Sequence, residues 1–255
     1  MIISIVAAAC AVAVVLVASR LVRRLRYGVE DPDPDGPTAG HTGGMLSALF
    51  LLAFAIAIVV PWTSADSARN NTYTESQAIG EAYWAAGRLP APTGQHVQAG
   101  LRAYTAQVRG PEWRLMRDGR LSTDGWTRLE NIRREVIAFK PANDEAKDAR
   151  AAALDQLAQI SAARHQRAAD ARTTPPSGLL AVTLITGVAV ILLPFISGAR
   201  PRGMTLIPFG IMAALLTIGA YLTIDISHVF DGALAVKPDA FTSLQDELQR
   251  ISGGG

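Results

Sequence analysis

Four stretches of the chain, residues 2–18, 45–62, 179–196 and 204–224, contain no Asp, Glu, Lys, Arg or His. A bilayer core about 30 Å thick is crossed by roughly 20 helical residues rising about 1.5 Å each, and every stretch is close to that length. Four transmembrane helices are therefore expected. The overall balance agrees: 49% of the 255 residues are hydrophobic and only 18% are charged, a greasy composition for a soluble domain. The basic run "SRLVRRLR" follows the first stretch, whereas a secretory leader carries its basic residues in front. This helix is expected to persist in the mature protein.

Cytoplasmic loops are enriched in Arg and Lys, most reliably where the loops are short. Arg20, Arg23, Arg24 and Arg26 follow the first stretch, and Arg200 and Arg202 lie in the short connection "SGARPRG" between the last two. Both connections are expected in the cytoplasm. The N-terminus, the long segment between the second and third stretches and the C-terminal tail then fall outside, although Arg69, Arg164, Arg167, Arg172 and Lys237 flank the membrane there. Lys occurs only at 140, 147 and 237 while Ala and Gly are abundant, which points to a GC-rich bacterial source. A multi-pass protein of the bacterial inner membrane is expected.

The chain divides into four segments. Residues 1–62 hold the first two membrane helices and a cytoplasmic linker at 19–44, in which "EDPDPDGPTAGHTGG" opposes both helix and strand. Residues 63–176 form an extracytoplasmic insert, 177–226 the last two membrane helices, and 227–255 a tail ending in a flexible "SGGG". Helical spacing runs through the insert, with stripes at Ile79, Tyr83 and Ala86, at Val97, Leu101, Tyr104 and Val108, and at Trp126, Leu129, Ile132, Val136 and Ile137. A fourth helix is expected over 143–171, and "GPEWRLMRDG" breaks the pattern between the second and third. The expected fold is an all-α membrane protein with a helical bundle inserted between membrane helices 2 and 3.

Catalytic chemistry finds little support. The chain has no glycine-rich phosphate loop, no HExxH and no GxSxG elbow. His41, His96, His165 and His228 are scattered, and Cys10, alone, allows neither an intrachain disulfide nor a cysteine-based metal framework. Glu75 and Glu81 fall on different helix faces, while Asp144, Glu145 and Asp148 stand among Lys147 and Arg150 as on a solvated face. No catalytic residue, metal ligand or cofactor follows, and an enzyme is not expected. A net charge of +2 gives no reason to expect nucleic acid as a partner.

Three places carry more information. In the second apolar stretch Phe50, Phe54 and Ala57 recur at helical spacing, with Ser47 one turn before them. Such a stripe faces lipid or a neighbouring helix, or in a ring of subunits lines a pore that gates by dewetting. "RGPEWRLMRDG" sets Glu112, Trp113 and Arg114 between breakers, where a Trp packs as an anchor and its neighbours pair with adjacent helices. After the fourth stretch come Asp225, His228 and Asp231. Counted from Met204, Asp225 lies beyond the hydrocarbon core, so these mark the exit of the helix, or an acidic rim at a pore mouth.

The element order, together with "EAYWAAGRLP", "YTAQVRGPEW" and "FDGALAVKPDAF", resembles the bacterial bestrophin-like domain family. The most specific motifs are the corner at Glu112 and Trp113 and the F-x-G, V-x-P-x-x-F run of Phe230, Gly232, Val236, Pro238 and Phe241. Members often read L-D-x-P-F-x-G at the end of the last helix, where this chain has Ser227 and Val229. The resemblance implies kinship with bestrophins, pentameric channels whose second membrane helix lines the pore with an apolar neck. Phe50 and Phe54 would fill that role. Bestrophins keep their soluble helices in the cytosol, whereas the arginines of this chain place the insert outside.

Two functions are consistent with this reading. One is a homo-oligomeric channel for inorganic ions, lined by membrane helix 2. The other is a non-conducting scaffold whose insert binds another envelope protein. The lipid bilayer is a partner in both.

Overall fold

The computed structural model describes residues 37–173, 177–196, 218, 221, 223–226, 228–232 and 234–253. The first apolar stretch with its arginine-rich run, the connection holding Arg200 and Arg202, and most of the fourth stretch lie outside the described residues. What is described is helical: α1 (Pro37–Gly87), α2 (Thr93–Gln107), a π-helical turn (Val108–Glu112), α3 (Trp113–Met116), α4 (Thr123–Ala138), α5 (Asp144–Arg172), α6 (Ser177–Ile196) and α7 (Asp239–Gly253). No strand occurs among the described residues.

Helix α1 runs across two of the expected segment boundaries. The linker expected at 19–44 gives way to helix at Pro37, because proline at a first helical position loses no hydrogen bond and already has a helical φ. Gly40, Gly43 and Gly44 then cost about 1 kcal/mol each without stopping propagation. Nor does the chain turn between 62 and 63, where membrane helix and insert were to meet. One helix of 51 residues passes straight through Pro61. Proline removes one rung of the ladder, and just beyond it the hydroxyls of Thr63 and Ser64 fasten the turn by donating to the Val60 carbonyl at 2.9 and 3.1 Å. At 1.5 Å per residue α1 is about 75 Å long.

Its first half meets the expectation for a spanning helix. Among the described residues α1 alone is long and apolar enough to cross a membrane, and little of its apolar window is covered by protein. Leu49, Leu51, Leu52, Ile56 and Val59 all stand exposed. Helix α6, apolar over Ala181–Leu192, lies alongside and brings the Thr183 hydroxyl to 3.5 Å from the Ala53 carbonyl oxygen.

The second half of α1 is the spine of a bundle. Helix α5 runs antiparallel to it, pairing Asn71 with Asp170 and Glu75 with Arg167. Buried residues on both follow the alternating three and four spacing of a two-helix seam: Ala68, Thr72, Glu75, Ile79, Ala82 and Ala86 against Ala153, Leu157, Ile160, Arg164 and Arg167. Ser122 caps α4 by accepting from the Asp124 N–H, and Asn143 caps α5 by accepting from the Ala146 N–H. Amphipathic α7 returns from the membrane side to bury Phe241, Leu244 and Leu248, and the Ser76 hydroxyl on α1 donates to the Ala240 carbonyl at 2.9 Å.

The break expected at "GPEWRLMRDG" is a widened turn instead. Gln107 (φ −63°, ψ −46°) and Glu112 (φ −70°, ψ −36°) both keep helical dihedrals around the π-helical turn. Pro111 has no N–H to donate and its ring crowds the preceding turn, so the ladder shifts register here rather than ending. The chain leaves the helix only after Met116, and Gly119 takes a φ of 67° in the connection to α4.

Candidate functional site

The widened turn aims Glu112 into the centre of the bundle, where four charges meet with no exposure to solvent. Arg164 grips Glu112 with two parallel bonds, Nη1 to Oε1 at 2.7 Å and Nη2 to Oε2 at 2.6 Å. Arg167 does the same to Glu75, Nε to Oε2 at 2.7 Å and Nη2 to Oε1 at 3.0 Å, and its Nη2 also lies 2.9 Å from Glu112 Oε1. All four side chains are 0% exposed. Two guanidinium and two carboxylate groups give a neutral cluster, and bidentate geometry is what makes such burial tolerable.

Neighbouring groups add to it, leaving only Arg164 Nε of its donors without a hydrogen-bond partner among the described residues. The Tyr104 hydroxyl donates to Glu75 Oε1 at 2.5 Å and accepts from Arg164 Nη1 at 3.2 Å. The Ser122 N–H donates to Glu112 Oε2 at 3.1 Å, and the Ser122 carbonyl accepts from Arg164 Nη2 at 2.9 Å. Trp126 lies 4.6 Å from Arg164 Cζ, and Phe241 lies 5.5 Å from Arg167 Cζ, both in cation–π range. A Cβ on Gly125 would collide with Arg164 and Glu112, so this position has room only for glycine. Burial, reinforced by the Glu75 charge, raises the pKa of Tyr104 and keeps its proton in place. Burial alone would lower that of Arg167, but the Glu75 charge and hydrogen bonds outweigh it and the net shift is upward.

Sequence reasoning missed this cluster. Glu75 is set aside in the sequence because it and Glu81 fall on different helix faces, and Arg164 and Arg167 count there as charges flanking the membrane. Both arginines continue the buried stripe of Ala153, Leu157 and Ile160, and Glu75 sits on that of Ala68, Thr72 and Ile79. A charge in register with an apolar stripe was the available signal.

Trp113, next to Glu112, turns the other way. Its ring meets Phe230 edge-on at 5.5 Å and Phe241 at 5.9 Å. The two signature motifs, more than a hundred residues apart in sequence, thus form one aromatic clasp. Gly232 holds a φ of 104°, and a Cβ there would sit 2.5 Å from Asp225 Oδ1. Val236 donates its N–H to the Val229 carbonyl at 2.9 Å, and the Pro238 carbonyl accepts the Thr242 N–H at 2.9 Å.

Asp225, His228 and Asp231 do not converge. Asp225 folds back over the exit turn and accepts the Leu234 N–H at 3.1 Å. His228 is exposed, with Nδ1 3.1 Å from the Ile224 carbonyl oxygen, and Asp231 is exposed 3.9 Å from Arg117 Nε. Asp225 thus helps to hold the exit turn.

The stripe of Ser47, Phe50, Phe54 and Ala57 lies on a largely covered side of α1. Phe50 is 8% exposed and Ala57 1%, with Phe54 and Ser47 half-buried and the two rings stacked at 5.5 Å. Within a single chain this face is largely covered. The face open to lipid or to another subunit is the one bearing Met45, Leu49, Leu52, Ile56 and Val59. Among the described residues no group of three His, Cys, Asp or Glu side chains could hold a metal ion.

A helix with a bare apolar half, carried into a helical bundle, is the form of a helical membrane protein, and the described residues are helical throughout their ordered elements. The chain belongs to the Bestrophin-like domain family, which matches residues 5–241. No curated protein and no solved structure matches it.

Proposed function

We propose that the protein is a homo-oligomeric ion channel of the bacterial inner membrane, with four transmembrane helices in which residues 2–18 and 204–224 join the membrane half of α1 and α6. The observation that carries this reading is α1 itself. One unbroken helix links the membrane to the bundle, so a movement of either is felt by the other, as a gated pore requires. Kinship with a family named for channels supports it. The pore or subunit face of α1 is Met45, Leu49, Leu52, Ile56 and Val59, which a single chain leaves uncovered. The insert and tail lie outside the cell. Arg164 and Arg167, which argued against that orientation, have an internal reason for their positions in the neutral cluster. The role is not enzymatic: the charges of the cluster are turned to one another instead of to a substrate.

Planar-bilayer recording tests the channel. The expected result is a current that a thiol reagent alters when Leu52→Cys is introduced into a Cys10→Ser background, with an oligomer seen by size in detergent. Silence of the purified oligomer overturns conduction. A second reading, a non-conducting scaffold for another envelope protein, is favoured by the burial of Phe50 and Ala57 inside one chain. Crosslinking in native membranes that recovers only self-contacts would remove it.

A further inference from the structure

Where α1 leaves the membrane, a groove opens between it and the exit turn, lined by Trp62, Asp66 and Arg69 on one side and Ile226, Leu234 and Val236 on the other. Its volume is about 170 Å³. Trp62 closes the apolar run of α1 and stands 61% exposed, the placement of an aromatic at the bilayer surface. Asp66 and Arg69 follow at four and seven residues, on the same stripe and about 6 and 10 Å farther from the hydrocarbon. The opposite wall is apolar and contains the buried Ile226 and Val236.

The charged groups of this groove are left open. Asp66 Oδ2 accepts only a long bond from Asn70 Nδ2, at 3.5 Å, and the Arg69 guanidinium has no partner among the described residues. Three residues apart on one helix, such groups are neighbours, about 5–6 Å between Cβ atoms, and ordinarily pair. Here a cation, an anion and an aromatic face line one groove at headgroup depth, unpaired with each other.

We propose that the groove binds the headgroup of phosphatidylethanolamine, with the phosphate on Arg69, the ammonium between Asp66 and the Trp62 ring, and the glycerol end against Leu234. Arg suits a phosphate because its planar fork matches the oxygens. Asp66 sets the headgroup class. It attracts an ammonium and repels a lipid of net negative charge, so a zwitterion is bound in preference to phosphatidylglycerol. Bound there, the lipid ties α1 to the exit turn. The inference rests on α1 crossing the bilayer, as in the reading above.

The test is native mass spectrometry of the full chain released from nanodiscs holding equal parts of phosphatidylethanolamine and phosphatidylglycerol. Phosphatidylethanolamine is expected to be retained about tenfold over its competitor, the ratio that about 1.4 kcal/mol supplies. Arg69→Ala is expected to lose the adduct to a similar degree, and Asp66→Asn to move the preference toward phosphatidylglycerol. Both side chains are exposed, and an unchanged melting temperature confirms that the variants fold. Failure to enter nanodiscs at all would remove the membrane reading together with this one. Entry with equal retention of the two lipids, or an adduct indifferent to Arg69→Ala, overturns the lipid site alone. Displacement of the adduct by millimolar inorganic phosphate would reveal a plain anion site and overturn it as well.

Discussion

The two halves of α1 are one helix in two solvents. Between Met45 and Trp62 it carries no charge, and much of its apolar surface is uncovered. Between Thr63 and Gly87 it buries Glu75 completely, against an arginine from α5. The half that faces lipid excludes charge, because a lone ion in hydrocarbon costs several kcal/mol with nothing to repay it. The half inside protein accepts charge because partners can be held in fixed geometry around it. Apolar packing is tolerant of substitution, whereas a bidentate pair is not. The contrast teaches that one helix can carry buried charge where partners are held around it and must exclude charge where they are not.

The contrast is broken most severely at Arg164. Arg164→Ala strands Glu112 without its main partner in a sealed interior, and a loss of about 3–5 kcal/mol is expected. Chemical denaturation followed by tryptophan fluorescence measures it. Leu52→Ala, in the exposed membrane half, is expected to leave the same midpoint nearly unmoved. Equal effects of the two would mean that the halves do not differ in the way described. Gly125→Ala comes next, at about 1–3 kcal/mol, since an added methyl forces the Arg164 and Glu112 side chains off their positions. A melting temperature equal to that of the parent would show that the cluster yields more easily than its geometry implies.

The smallest effect is in pH. Burial raises the Tyr104 pKa above its ordinary value of 10.0, so the folded state holds this proton more tightly than the unfolded state. The corresponding stability is fully present below pH 10 and declines as the pH climbs from there toward the folded-state pKa. Tyr104→Phe is expected to lose about 1.5 kcal/mol at neutral pH, since the hydroxyl's bonds to the charged Glu75 and Arg164 both go, and to flatten the part of the alkaline decline that Tyr104 causes. Denaturation midpoints measured at several pH values above 10 compare the two slopes, and identical slopes would remove Tyr104 as their source.

Much of the bundle was legible. Stripes such as Val97, Leu101, Tyr104 and Val108 announce helices, and each of these four is buried. Continuity was not legible, because composition changes abruptly after Trp62 and Pro111 reads as a breaker in isolation, whereas a helix can run through either. Nor was the charge cluster. Glu75, Glu112, Arg164 and Arg167 come from three distant segments, and local spacing carries no information about which charges will face each other across a core. Phe50 and Ala57 form a real stripe, but periodicity names a face without saying what covers it.

The aromatic clasp has a consequence for the making of the protein. Phe230 and Phe241, which close around Trp113, and Phe241 again over Arg167, follow the fourth apolar stretch and so leave the ribosome after the helices they cover. Until they arrive, one wall of the bundle is missing and the arginine beneath Phe241 stays open to water. The insert is therefore closed only once the fourth apolar stretch and the turn after it have been made.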